Sequence, residues 1–367
     1  MERLFGGNRM KLILENAQVF EGVNFGFEQE VIGEVIFNPS MVGYQDIIAD
    51  PSYMNKIVVM NYPLIGNYGV ADEDYDYKNI HIKGLIVNNY NDEPSNFRST
   101  STLNDVMKEN KIAGLSDVDT RKLVKIIRDQ GALKGMIAND ETSIDEALKK
   151  LGEYQIQDDV INQVSTKKCW YSKTSNPRFN VVIIDGGVKT NFVKSLKTRG
   201  YNIAVVPYDY PLEKIVSLKP NGIIISNGPS NPNSQEILGV ISYFKNRLPI
   251  LGLGFGALSL ALSFDSEISK LPSGIYSSNV SVRNIETRKI MSLVCADRYI
   301  INKLGKNLKA VHEFVNDLKV ASFETEDQMI LGLLYDPLSV DLLDENEDVF
   351  NTFTKKMEEG LCQREKI

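Results

Sequence analysis

Residues 248–260, Leu-Pro-Ile-Leu-Gly-Leu-Gly-Phe-Gly-Ala-Leu-Ser-Leu, join a short apolar run to three glycines at alternate positions and then to an Ala/Leu-rich stretch suited to a helix. That order predicts a buried strand, a sharp turn and a helix, the setting in which an α/β enzyme raises a nucleophile on an elbow. Glycines flank such an elbow because its backbone is crowded. Here Gly252 and Gly256 flank it, and the residue between them, where a Cys or Ser would stand, is Gly254.

The preceding segments share one grammar. Phe179–Ile184, Asn202–Pro207 and Gly222–Ser226 read as strands, separated by helices over Thr190–Arg199, Leu212–Leu218 and Glu236–Lys245. Strand–helix alternation at this spacing predicts a doubly wound, mostly parallel sheet. Asn279–Val282 and Met329–Leu334 read as shorter antiparallel additions, and Leu271–Gly274 as a turn. The first half is different, a β-rich mixed α/β pattern. Strands are expected at Lys11–Glu15, Val31–Phe37, Lys56–Met60 and Ile80–Asn88, with dense turn chemistry over 38–70. Helices are expected at Thr102–Glu109, Asp119–Gln130 and 143–152, the second capped by Asp117 or Asp119, placing Leu123, Ile126 and Ile127 on one face and stopping at Gly131. Between the halves periodicity fades. The division is therefore 1–152, a linker at 153–178 containing Trp170, which could pack the domains together, and 179–367.

Composition excludes several classes. A net charge of −7 argues against a broad nucleic-acid surface. No apolar run approaches the roughly 20 residues of a membrane helix, and Met1–Lys11 lacks the pattern of a secretory signal. Three scattered cysteines, Cys169, Cys295 and Cys362, suggest a reducing cytoplasm. With only His81 and His312 and no cysteine pair at zinc spacing, neither a metal site nor a cofactor is expected. The acidic runs Asp72–Asp76 and Asp344–Asp348 read as solvated surface, the latter at a helix start.

A series of ordered phrases in the first half carries a resemblance: Gly33-Glu-Val-Ile-Phe-Asn38, Gly43-Tyr-Gln-Asp46, Asp50-Pro-Ser-Tyr53 and Asn61-Tyr-Pro-Leu-Ile-Gly-Asn-Tyr-Gly69. Glu93-Pro-Ser-Asn-Phe-Arg98, Gly114-Leu-Ser-Asp-Val-Asp-Thr-Arg121 and Gly131-Ala-Leu-Lys-Gly135 continue it. Together they resemble the amino-terminal domain of the carbamoyl phosphate synthetase small subunit. Ile184-Asp-Gly-Gly-Val-Lys189, Ser226-Asn-Gly-Pro229 and the 252–256 elbow follow in the order of that family's class I glutamine amidotransferase domain.

The resemblance implies a subunit that hydrolyses glutamine with a Cys–His–Glu triad and passes ammonia to a large subunit, which makes carbamoyl phosphate for arginine or pyrimidine synthesis. This sequence departs from the triad at each position. Gly254 stands for the nucleophile, and the family's His-Pro-Glu phrase falls on Asp336-Pro337-Leu338, so Asp336 replaces the base and Leu338 the orienting carboxylate. Ala257 and Leu258 replace a His and a substrate-holding Gln, Ser230 follows Pro229 where the family has an oxyanion-hole glycine, and nothing of a Gln-Asn-His-Gly phrase survives near Val294–Asp297. Ser52, Gly228, Ser230, Phe255 and Leu258 are read as vestiges of substrate binding, although Asp50-Pro51-Ser52 is equally a turn.

The resulting expectation is a small subunit that docks on or regulates the large subunit without hydrolysing glutamine. Two alternatives stand beside it: a repurposed scaffold or ligand-binding protein independent of a large subunit, and an active enzyme with a displaced site. Cys295 lies near the family's pocket but lacks a His partner in sequence, and His312 reads as structural. The Gly252–Ala257 spacing also fits a loose dinucleotide fingerprint, but Asp265 and Glu267 come too soon for the ribose-binding carboxylate.

Overall fold

The computed structural model describes residues 8–71, 79–157, 159–229, 231–339 and 349–364. Two compact units emerge, Met1–Gln157 with Pro272–Tyr276, and Asp158–Leu271 with Ser277–Ile367.

The first unit opens with β1 (Arg9–Leu14), β2 (Val19–Gly26), β3 (Val31–Asn38), α1 (Tyr44–Ala49) and β4 (Lys56–Met60). It continues with β5 (Leu64–Ile65), β6 (Gly84–Ile86), β7 (Asn89–Tyr90), α2 (Leu103–Glu109) and β8 (Ala113–Ser116). α3 (Thr120–Gln130), β9 (Leu133–Asn139) and α4 (Ile144–Glu153) complete it. Seven strands close into a barrel in the order β1-β2-β8-β6-β4-β3-β9, sealed by the antiparallel β1–β9 pair. Alternate side chains along each strand share a face. Leu12 and Leu14, Ile57 and Val59, with Val35, Ile86, Leu115 and Ile137, accordingly bury in one cluster. Ile13, Met136 and Ala138 belong to a separate cluster with Ala147 and Leu151 of α4, so β1 is apolar on both faces.

α3 begins where the sequence places it. The Asp119 carboxylate accepts a hydrogen bond from the Lys122 N–H at 3.0 Å, and Gly131 ends the helix at φ +90°. Its buried face is Leu123, Val124 and Ile127, with Ile126 only half-buried. α1 interrupts the region read as turns. It is six residues long and has no side-chain cap, too short for a periodic signal.

The second unit begins with α5 (Ile161–Val164), β10 (Trp170–Ser172), β11 (Phe179–Asp185), α6 (Thr190–Thr198) and β12 (Tyr201–Pro207). α7 (Leu212–Ser217), β13 (Gly222–Ile225), α8 (Gln235–Phe244), β14 (Ile250–Leu253) and α9 (Phe255–Leu262) follow. Last come β15 (Glu267–Asn284), β16 (Ile290–Lys303), β17 (Leu308–Phe314), β18 (Val320–Thr325), β19 (Ile330–Leu333) and α10 (Val349–Arg364). They form a ten-stranded sheet, β10-β12-β11-β13-β14-β19-β18-β16-β15-β17, in which β12 through β19 are parallel neighbours. Val181–Ile184, Ile223–Ile225 and Ile250–Leu253 are buried throughout, as strands covered on both faces must be.

Three sequence expectations differ from this arrangement. Residues 330–333 are antiparallel on one side only: β19 runs antiparallel to β18 but parallel to β14, with Ile250 opposite Ile330 and Leu253 opposite Leu333. A four-residue apolar strand carries no mark of its direction. Asn279–Val282 is part of the 18-residue β15, which also absorbs the expected turn at Leu271–Gly274, where Gly274 takes φ +70°. Pro272 and Gly274 interrupt the alternation without ending the strand. Finally, the stretch read as a linker contains α5 and β10, and β10 pairs antiparallel with β12, setting Trp170 opposite Val205.

Candidate functional site

In an open parallel sheet, ligand-binding loops gather at the carboxyl ends of the strands, beside the point where strand order reverses. Here β11 is flanked by β12 on one side and β13 on the other, so that point lies between β11 and β13. The loops leaving β11, β13, β14 and β19 carry Asp185–Lys189, Ser226–Pro229, Gly254 and Asp336–Leu338.

Gly254 links β14 to α9 at φ +46°, ψ −110°, a conformation L side chains rarely adopt. Its N–H donates to the Leu333 carbonyl at 2.7 Å, and its own carbonyl accepts the first helical bond, from Leu258 N–H at 2.9 Å. The two flanking glycines are set by close approach. A Cβ on Gly256 would lie 2.3 Å from the Ile225 carbonyl oxygen, and one on Gly252 2.5 Å from a Leu260 methyl. A Cβ on Gly254 itself would stand 2.0 Å from Asn227 Oδ1. That same oxygen accepts the Phe255 N–H at 3.0 Å. Phe255 and Leu258 are fully buried along α9.

The β11 and β13 loops are tied by the Ser226 hydroxyl. Ser226 Oγ accepts the Gly186 N–H at 2.8 Å and donates to the Asn227 carbonyl at 3.0 Å. Gly228 packs so tightly that a Cβ would meet the Gly186 oxygen at 2.7 Å. Asp185 is buried, and that burial pushes its carboxyl above the usual range. N–H groups of Thr166, Gly187 and Val188, at 2.8–2.9 Å, oppose the shift without cancelling it.

Asp336 is occupied on both oxygens. Oδ2 pairs with Lys189 Nζ at 2.6 Å and Oδ1 accepts the Leu338 N–H at 2.9 Å, while its backbone N–H donates to Val294. Leu338 sits half-buried in the short 3-10 turn Pro337–Ser339. The structure thus gathers Gly254, Phe255, Leu258, Gly228 and Asp336 at the strand ends of one unit. Ser52 belongs to the other unit. There its N–H donates to Asp50 Oδ1 at 2.8 Å in the turn Pro51–Tyr53. Ser230, Asp72–Asp76 and Asp344–Asp348 lie outside the described residues.

Cys295 and His312 are both buried and engaged. The Cys295 thiol donates to the Leu334 carbonyl at 2.9 Å, and complete burial, aided by the Asp297 charge, pushes it far from the thiolate form. His312 is buried between β-strands, its Nδ1 within 2.6 Å of Ser322 Oγ and 3.2 Å of the Tyr335 hydroxyl. Among the described residues no group of three or more His, Cys, Asp or Glu is placed to hold a metal ion, and no helix is long and apolar enough to cross a membrane. Sequence reasoning gave no role to Asn227 or Lys189. Both are polar residues just past a buried strand at the reversal point, and that position was the available signal.

The strand–elbow–helix and the parallel sheet behind it define an α/β unit of the class I glutamine amidotransferase type, and residues 182–355 match the model of that family, "Glutamine amidotransferase class-I". Residues 12–137 match "Carbamoyl-phosphate synthase small chain, CPSase domain". The chain belongs to the carbamoyl phosphate synthase small chain family. It is 34% identical over 363 residues to the carbamoyl phosphate synthase pyrimidine-specific small chain of Bacillus subtilis, covering 97% of this chain and 99% of that one. It is likewise 34% identical over 348 residues to the small chain of Clostridium perfringens, covering 95% and 99%.

Proposed function

We propose that this chain docks on a carbamoyl phosphate synthase large subunit and serves it without hydrolysing glutamine. The observation that carries this reading is Gly254. Covalent cleavage of an amide needs a sulfur or oxygen lone pair on the elbow, with a base to activate it. Residue 254 offers a hydrogen. The base position, Asp336, is held by the Lys189 ammonium, and the orienting position, Leu338, is apolar. Loss of a complete triad typically removes about 10⁶-fold of the rate.

Docking is supported by the first unit, where the family phrases are kept, and by the relatives' names as small chains, which imply a large partner. Interface and folding demands persist when a chemical demand is lifted. In such a complex the large subunit would draw on free ammonia.

The test is reconstitution with the large subunit of the same organism. The expected result is a stable complex in size-exclusion chromatography, with carbamoyl phosphate formed from ammonia but not from glutamine. Absence of any complex would remove the docking half of the proposal. Glutamine-dependent ammonia release by the complex would remove the other.

A further inference from the structure

The first N–H of a helix has no partner within the helix. On a nucleophile elbow, the N–H of the residue after the nucleophile is the one that holds the oxygen of a reacting carbonyl. In this chain that donor is Phe255 N–H, and it is already taken by a carboxamide oxygen, Asn227 Oδ1, at 3.0 Å. The same oxygen fills the space 2.0 Å from where a residue-254 Cβ would begin. Glycine at 254 and the inward Asn227 side chain are therefore one arrangement: either could not be as it is if 254 carried a side chain.

From this contact we infer that the elbow is self-occupied, with the Asn227 carboxamide standing where a nucleophile's own side chain would begin and closing the carbonyl-binding donor to free amides. A second contact closes the same loops. Lys189 and Asp336 follow β11 and β19, which are separated in the sheet by β13 and β14. At about 4.8 Å per strand the outer two are roughly 14 Å apart, so the ion pair reaches across the ends of the strands that carry Asn227 and Gly254. The site is shut by its own residues rather than merely stripped of a nucleophile.

This inference builds on the non-hydrolytic reading of the elbow, but its readout involves neither glutamine turnover nor the large subunit. Amide hydrogen exchange resolved at Phe255, measured by NMR on the full chain, reports the Asn227 contact directly, because α9 itself provides no partner for that N–H. In the wild type the Phe255 amide is expected to be protected at least tenfold over an unstructured amide, and its resonance unmoved by millimolar L-glutamine. Asn227→Asp, which keeps an acceptor oxygen, retains the protection; Asn227→Ala loses it. An unprotected Phe255 amide in the wild type, or a glutamine-dependent shift there, would overturn the inference even if neither variant folds. So would unchanged protection in Asn227→Ala.

Discussion

Lys189 Nζ lies 2.6 Å from Asp336 Oδ2, joining the loops that leave β11 and β19 across two intervening strands. Both side chains are mostly buried, 24% and 17% exposed, so the pair falls between a surface bridge worth at most about 1 kcal/mol and a buried one whose rupture costs about 3–5 kcal/mol. Lys189→Met or Asp336→Asn is expected to destabilise the chain by about 1–2 kcal/mol. The double variant should lose less than the sum, which denaturant unfolding of all four proteins measures. Additive losses would mean that the two groups do not interact in solution.

Gly254→Ala combines a disfavoured backbone with a clash on Asn227. The expected cost is about 1–3 kcal/mol. In an Asn227→Ala background the steric part disappears and only the backbone part remains, so the second substitution should cost measurably less there. Equal costs in both backgrounds, again by denaturant unfolding, would show that Asn227 does not face residue 254.

On the proposed reading, Gly254→Cys would supply a thiol but neither a base nor a substrate-holding side chain. Incubation with glutamine should release no ammonia above the wild-type background, alone or with the large subunit, and no burst should appear on mixing. A glutamine-dependent burst would mean that another group activates the thiol.

Thiol accessibility provides a separate check on Cys295. In the native state an aromatic disulfide reagent should modify the exposed Cys362 and leave Cys295 untouched until the protein unfolds. Rapid native modification of Cys295, read by peptide mass, would reopen it as a nucleophile.

His81 sets a pH dependence. Burial draws its pKa below the usual 6.5, and the nearby Asp50 charge opposes this without reversing it. A depressed histidine favours the folded state while neutral. Its stabilising contribution is present above about pH 6.5, where the unfolded chain also holds a neutral ring, and is lost as pH falls through the lower folded value. Unfolding free energy should therefore drop between pH 7 and pH 5. The drop should be smaller in His81→Gln, and equal drops in the two proteins would refute the assignment.

Legibility in the sequence followed the range of the interactions. α3 could be read because its signals are local: Asp119 caps it, Gly131 stops it and Leu123 and Ile127 repeat one turn apart. The parallel core could be read from apolar runs between helices. The barrel could not, since its closure depends on β1 meeting β9 across more than a hundred residues. The direction of β19 likewise depends on lying beside β14, which no residue of Ile330–Leu333 encodes alone. At the site, Gly254 on the elbow was visible as a letter. Its surroundings were not, because Asn227 and Lys189 lie in neighbouring loops, and only the fold shows that their side chains meet Phe255 and Asp336.

The sealed ring of the first unit also limits how anything can bind it. An open sheet presents a row of unpaired backbone groups to which another chain can add a strand. β1 and β9 satisfy each other instead, so within the barrel no such row remains. On the docking proposal, a companion protein that meets the barrel wall would be recognised through side chains and connecting segments. Single substitutions on that exterior should consequently be able to abolish assembly while leaving the ring intact.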